Sequence, residues 1–208
     1  MKYITSLVVS LSLICCISAN AQYASVRTVT IVGGPSFDYP SHWSVLETAA
    51  TENVAHYSKG ITKDAGVDLS NITKVERVAI VSQPLPSAAK IRGYVVLAPD
   101  MDVSSFKSFS DSDLELAKAE LEEALAQVSG KMGVRVECEM PKLGVYAGRT
   151  SLILSYTRFG ENSGDVWYVE QTKIPFDGGY FGLTTSFLVS QKQMMVPILE
   201  EVKRSVKF

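Results

Sequence analysis

The sequence is poor in the residue types on which most protein chemistry depends. It has two histidines, His42 and His56, and three cysteines in 208 residues. Structural zinc takes about four Cys, His or carboxylate ligands at close spacing and catalytic zinc about three. Neither H-E-x-x-H nor C-x-x-C occurs, and the P-loop and the G-x-S-x-G turn are absent too. No catalytic residue, metal ligand or cofactor is therefore assigned, and the chain does not read as an enzyme. A serine triad built from distant residues would be defined by geometry rather than order, but nothing in the sequence points to one. A basic excess is also missing: 20 basic residues stand against 22 acidic ones, a net charge of -2. Nucleic-acid binding needs a cationic stripe to neutralise phosphates, so nucleic acid is not expected as a partner.

Long apolar runs are lacking as well. LVVSLSLICCI (7–17) has eleven residues, short of the roughly 20 needed to span a bilayer. Lys2 precedes it and the small-x-small triplet Ala19-Asn20-Ala21 follows. This is the layout of a secretory signal peptide cleaved after Ala21, which predicts a periplasmic protein with no integral membrane span after processing. Lipidation at Cys15 or Cys16 is not expected, because a lipoprotein signal needs a small residue just before the cysteine and those places hold Ile14 and Cys15. Removing residues 1–21 of 208 leaves 187, suited to a single domain over 22–208. Lys2 leaves with the signal, which makes the remaining net charge -3. Two cysteines leave too, so Cys138 has no intramolecular partner and the core alone must hold the fold.

Alternation identifies the strands. ASVRTVTIVGG (24–34) reads as a strand ended by paired glycines, and Phe37 and Tyr39 share a face in the next stretch. Residues 48–75 are weakly patterned, with room for a short helix near 48–57 and then a loop. VERVAIVSQ (75–83) and RGYVVLAP (92–99) read as strands separated by the proline-containing QPLPSAAK (83–90). In VRVECEM (134–140), Val134, Val136, Cys138 and Met140 alternate with charged residues, which puts Cys138 on an apolar face as an inert thiol. Strands follow through LGVYAG, TSLILSYTR, VWYVEQTKIPF and YFGLTTSF, with Asp177-Gly178-Gly179 as a hairpin turn. Short turns make such neighbours antiparallel.

Two helices complete the pattern. Ser110 and Asp113 form a capping box ahead of Leu114, Ala117, Leu121, Ala124/Leu125 and Val128, with Gly130 as the stop. Ser190 and Gln193 suggest a second box before Leu199, Val202 and Val206; Pro197 either opens that helix at its first position, the preferred reading, or kinks it. Met194-Met195 read as core filler, or else as part of an adaptable contact surface, with filler preferred. The carboxylate pairs Glu122/Glu123 and Glu200/Glu201 diverge along helices and read as solvated surface. Asn71-Ile72-Thr73 matches a glycosylation acceptor too short to be selective. The expected class is α+β: a largely antiparallel sheet flanked by helices.

The order F-x-Y-P-x-x-W-x-V, here Phe37, Tyr39, Pro40, Trp43 and Val45, resembles the opening of the PsbP-like α/β/α sandwich. That group holds the extrinsic PsbP proteins of photosystem II, a small nuclear Ran-binding factor and bacterial DcrB-type envelope proteins. The closing pattern LTTSF…PILEEVKRSVKF is similar to theirs, and the resemblance spans roughly 24–208. It implies that Phe37, Tyr39, Pro40 and Trp43 are architectural, Trp43 contributing about 2–3 kcal/mol by burial. His42 becomes a turn residue beside a structural tryptophan. No binding residue of the photosystem members carries over, and 48–75 and QPLPSAAK depart from the family pattern.

Those departures are where a function of this chain's own is expected, since loops without core duty carry binding. The favoured expectation is a non-catalytic envelope adaptor or assembly factor with a protein partner. Its surface would lie over 48–66 and 83–91, with Gln83, Leu85, Lys90, His56 and Tyr57 as contact candidates. One alternative is an immunity or inhibitor protein against a toxin acting in the periplasm. Another is a small hydrolase or ligand carrier with a pocket near His42, Trp43 and His56.

Overall fold

The computed structural model describes residues 25–31, 33–46, 77–160 and 164–208. The expected signal segment 1–21, the region 48–75, His56, Tyr57 and Asn71-Ile72-Thr73 lie outside the described residues. Strands β1 (Val26–Thr30) and β2 (Ser36–Pro40) form an antiparallel pair of their own, Val26 opposite Pro40 and Thr30 opposite Ser36. The remaining strands make one antiparallel sheet: β3 (Ser44–Val45), β4 (Arg77–Val81), β5 (Ala89–Leu97), β6 (Arg135–Cys138), β7 (Lys142–Tyr146), β8 (Arg149–Phe159), β9 (Val166–Phe176) and β10 (Gly179–Leu188). Their order is β3-β4-β5-β10-β9-β8. The outer side of β8 is shared, β6 pairing with its C-terminal half and β7 with its N-terminal half. Helix α1 (Asp111–Met132) enters after β5, and α2 (Lys192–Arg204) follows a single 3-10 turn, Val189–Gln191. The class is α+β, as the alternation predicts.

Each face of the sheet is covered differently. Odd-numbered residues of β5 and β10, with even-numbered residues of β9, point toward α2 and the β1–β2 pair. Phe37, Tyr39, Trp43, Ile80, Ile91, Ile174, Phe181, Leu183, Leu199 and Val202 form the larger core there. Phe37 and Phe181 meet at 6.1 Å between ring centroids. The β1–β2 pair is tied to the C-terminus, since Ser36 and Lys207 exchange backbone hydrogen bonds and the Asp38 N–H donates to Ser205 Oγ. On the other face α1 rests over a smaller cluster of Phe106, Leu121, Leu152 and Leu154.

Several local expectations are revised. β5 begins at Ala89, because Ala89 and Ile91 are fully buried core residues, so the loop is shorter than 83–90. Helix α1 begins with the Ser110–Asp113 capping box but runs past Gly130. It ends at Gly133, whose φ of 63° is the left-handed conformation that glycine adopts freely, with its N–H returned to the Ser129 carbonyl. β6 stops at Cys138, which leaves Met140 exposed rather than inward. Ser190 does not cap α2: it sits in the 3-10 turn, and no side chain caps that helix. Pro197 lies inside α2 rather than at its start. Met195, two residues earlier, already belongs to the inward face, which extends the helix upstream, while exposed Met194 is not filler.

Candidate functional site

The β4–β5 loop is shaped by one buried hydroxyl. Ser82 follows β4 and is almost fully buried. Its Oγ accepts from the N–H groups of Ala88 and Ala89, both at 2.9 Å, and its own N–H donates to the Ala89 carbonyl. The hydroxyl thus draws the two ends of the loop together. Gln83 Nε2 donates to Ser44 Oγ at 3.0 Å, which fastens the loop to β3. Gln83-Pro84 and Leu85-Pro86 are cis. Pro84, Leu85 and Pro86 are exposed at the tip, Leu85 to 68%, and Val45 is exposed on the neighbouring strand. Lys90 stands apart from this tip. It lies in β5 beside inward Ala89 and Ile91, so it projects from the opposite face, its Nζ 5.0 Å from the centre of the Trp167 ring. Gln83 and Leu85 are therefore brought together and Lys90 is not.

His42 is exposed and meets Trp43 edge-on at 6.5 Å. Phe37, Tyr39, Pro40 and Trp43 are buried. No cavity described below has His42 in its wall.

A cavity of about 430 Å³ lies between α2 and the sheet, with Glu139, Tyr168, Glu170, Glu200 and Lys203 in its wall. Lys203 Nζ contacts Glu170 Oε1 at 2.5 Å and Glu200 Oε1 at 2.6 Å. Burial pulls the Lys203 pKa down, but the Glu170 charge and the two carboxylate hydrogen bonds outweigh it and raise the value overall. The ammonium is thereby fixed as a charge and cannot serve as a base near neutral pH. Tyr168 donates to Glu139 Oε2 at 3.1 Å. Burial, chiefly, pushes the Tyr168 phenol up to about 12, against a hydrogen bond with Ser155. Lys203, Glu170 and Glu200 are thus satisfied by one another, as Tyr168 is by Glu139, while Lys142 and Lys192 also line the cavity. Sequence reasoning missed this cluster, because Lys203 and Glu170 are 33 residues apart and on different element types.

A larger groove of about 680 Å³ runs under α1, lined mainly by apolar side chains such as Met101, Phe106, Leu121 and Leu154. Cys138 borders the same core, half-buried, and burial followed by the Glu122 charge pushes its thiol pKa up. Among the described residues, no three His, Cys, Asp or Glu side chains cluster as metal ligands, and no helix is long and apolar enough to cross a membrane.

No known protein family and no curated protein matches the sequence. Among solved structures, cyanobacterial PsbP (CyanoP) from Synechocystis sp. PCC 6803 superposes with a TM-score of 0.57 at 11% identity, covering 88% of this chain and 92% of its own. The chain has the PsbP-like fold. Two other matches are more distant. LpqN of Mycobacterium tuberculosis, described as involved in cell envelope biogenesis, aligns at 13% identity over 88% of this chain and 90% of its own, with a TM-score of 0.43. A protein of Bacteroides thetaiotaomicron VPI-5482 reaches 0.42 at 12% identity, over 86% of this chain and 46% of its own. On this PsbP-like frame, Phe37, Tyr39 and Trp43 hold the β1–β2 end of the larger core, while the β4–β5 loop stands clear of it.

Proposed function

We propose that this PsbP-like protein is exported to the periplasm and acts there without catalysis, as an adaptor or assembly factor that binds another envelope protein. The observation that carries the reading is the exposed Pro84-Leu85-Pro86 tip on a loop fastened by Ser82 and Gln83. Proline fixes φ, so such a tip loses little conformational freedom when a partner covers it, and pre-organisation of this kind favours binding. A leucine enclosed by a partner's pocket is a plausible anchor because burial of its side chain is worth about 1.5–3 kcal/mol. The signal-like leader supports export, and the mutual pairing of Lys203, Glu170 and Glu200 supports a non-catalytic role.

The test is photo-crosslinking in cells from position 45, exposed on the strand beside the tip, in chains that carry either Leu85 or its substitution, followed by mass spectrometry and rebinding of the purified pair. Deleting 83–91 would be uninformative, since it removes the core residues Ala89 and Ile91. Leu85→Asp alters only the exposed tip. One partner captured by the wild-type protein, and lost from a natively folded Leu85→Asp variant, is the expected result. Capture undiminished by that substitution, or no protein captured at all, would overturn the proposal.

A further inference from the structure

The face of the sheet that carries α1 is only partly covered by it. Beyond Leu152 and Leu154 the same face turns polar. The register sets Arg92 of β5 opposite Thr184, and Thr184 opposite Gln171. One step along, Lys90 stands opposite Ser186, Ser186 opposite Val169, and Val169 opposite Tyr156 of β8. Trp167 and Arg158 form the last pair. These side chains enclose a groove of about 130 Å³ whose wall, among the described residues, contains two arginines, one lysine and no carboxylate.

No ion pair is seen for Lys90, Arg92 or Arg158 among the described residues, and although other cations such as Lys142 and Lys192 share that property, these three are gathered in one groove. The three also act on one another: burial first, and then the Arg92 and Arg158 charges, lower the Lys90 pKa. Like charges gathered without a counter-charge destabilise the fold by mutual repulsion. Lys90 is held over the Trp167 ring, a contact that keeps a cation in place without neutralising it. The remaining polar groups, on Thr184, Ser186, Tyr156 and Gln171, can all donate hydrogen bonds.

We propose that this groove binds the phosphate group of a ligand, either inorganic phosphate or a phosphomonoester. Three cations exceed what one carboxylate can balance. A phosphomonoester brings a charge of about -1.5 to -2 at neutral pH and three acceptor oxygens. Guanidinium groups entering from β5 and from β8 supply forked donors matched to those oxygens, with the ammonium as a third charge. The small volume suits a single oxyanion rather than a chain of them. Arg92 is exposed, which leaves the groove open to an arriving ligand. This inference rests on a different surface from the Leu85 tip and does not depend on it.

The two tryptophans supply the readout, because Trp167 lines the groove and Trp43 is buried in the other core. Inorganic phosphate is titrated into the ¹⁵N-labelled protein at constant ionic strength, with sodium chloride as the control. The expected result is a saturable shift of the Trp167 indole resonance, with the Trp43 resonance unmoved. Arg92→Gln and Arg158→Gln should each weaken it about tenfold, the loss of one charge-assisted interaction. Lys118→Gln, a charge removed elsewhere, should not. Phosphatidate vesicles tested against phosphatidylcholine vesicles by co-sedimentation identify the source: binding to phosphatidate alone, lost in Arg92→Gln, would mean a lipid headgroup. If Arg158→Gln does not fold, exposed Arg92 carries the test. The proposal is overturned by no response to either probe, by a response that chloride reproduces, or by one that Arg92→Gln leaves intact.

Discussion

Lys203, near the end of α2, reaches across the cavity to Glu170 of β9, Nζ to Oε1 at 2.5 Å, with both side chains nearly withdrawn from solvent. Glu200, one turn earlier on the helix, holds the same ammonium from the cavity side. The arrangement clasps the helix to the sheet.

Removing the lysine alone should therefore be worse than removing the pair. Lys203→Met leaves Glu170 buried without a partner, an uncompensated charge expected to cost about 3–5 kcal/mol. Lys203→Met combined with Glu170→Leu should recover most of that, because no buried charge is left. Urea unfolding of the two variants and the wild type measures the difference. A double variant no more stable than Lys203→Met would show that the charge pairing is not the cause.

Alkali should loosen this region. The Tyr168 pKa rises from 10.0 in the unfolded chain to about 12 in the folded one. Between those values the folded state keeps the proton and the unfolded state gives it up, so unfolding releases a proton and is favoured as pH rises. The contribution is intact below pH 10.0 and lost as pH climbs through about 12. Lys203, also raised, acts in the same direction at the alkaline end. The urea midpoint should fall across this window, and Tyr168→Phe should flatten the fall. An unchanged slope in Tyr168→Phe would assign the effect to other groups.

Ser82→Ala should destabilise the protein by about 1–3 kcal/mol, the cost of leaving buried hydrogen-bonding groups unsatisfied. The N–H groups of Ala88 and Ala89 lose their common acceptor. Hydrogen exchange at those two amides should rise with the loss of stability measured in urea. Unchanged exchange would mean that the loop is held from elsewhere.

Cys138 should react slowly with a disulfide reagent at neutral pH. Its thiol is half-buried and its pKa is pushed up by burial and then by the Glu122 charge, partly opposed by Lys118. Only the thiolate attacks. Reaction in urea should be much faster than in the native state, and equal rates would contradict this placement.

The sheet was largely legible because period-two alternation marks strands such as β5, and because β8, β9 and β10 run 10 or 11 residues between turn signals. Glu170 shares its face of β9 with Tyr168, Thr172 and Ile174, but nothing local in the sequence names Lys203 as its partner. Ends were harder to read. Gly130 and Gly133 look alike as stops, and only the backbone shows that Gly133 takes the left-handed conformation. Pro197 looked like a helix start because its missing N–H is harmless there, yet burial of Met195 extends α2 beyond it. The groove at Lys90, Arg92 and Arg158 is assembled across four adjacent strands, β5, β10, β9 and β8, a relationship that pairing register creates and linear spacing conceals.

Two short strands, β6 and β7, divide the long outer side of β8 between them, with 139–141 as the break. At the far side of the sheet, β3 is two residues long. Among the described residues, neither rim offers an unbroken run of free backbone groups on which a foreign strand could zip up, a geometry that guards against sheet-to-sheet aggregation. It also bars recruitment by strand addition over more than a few residues. Whatever docks on this surface must be held by side chains.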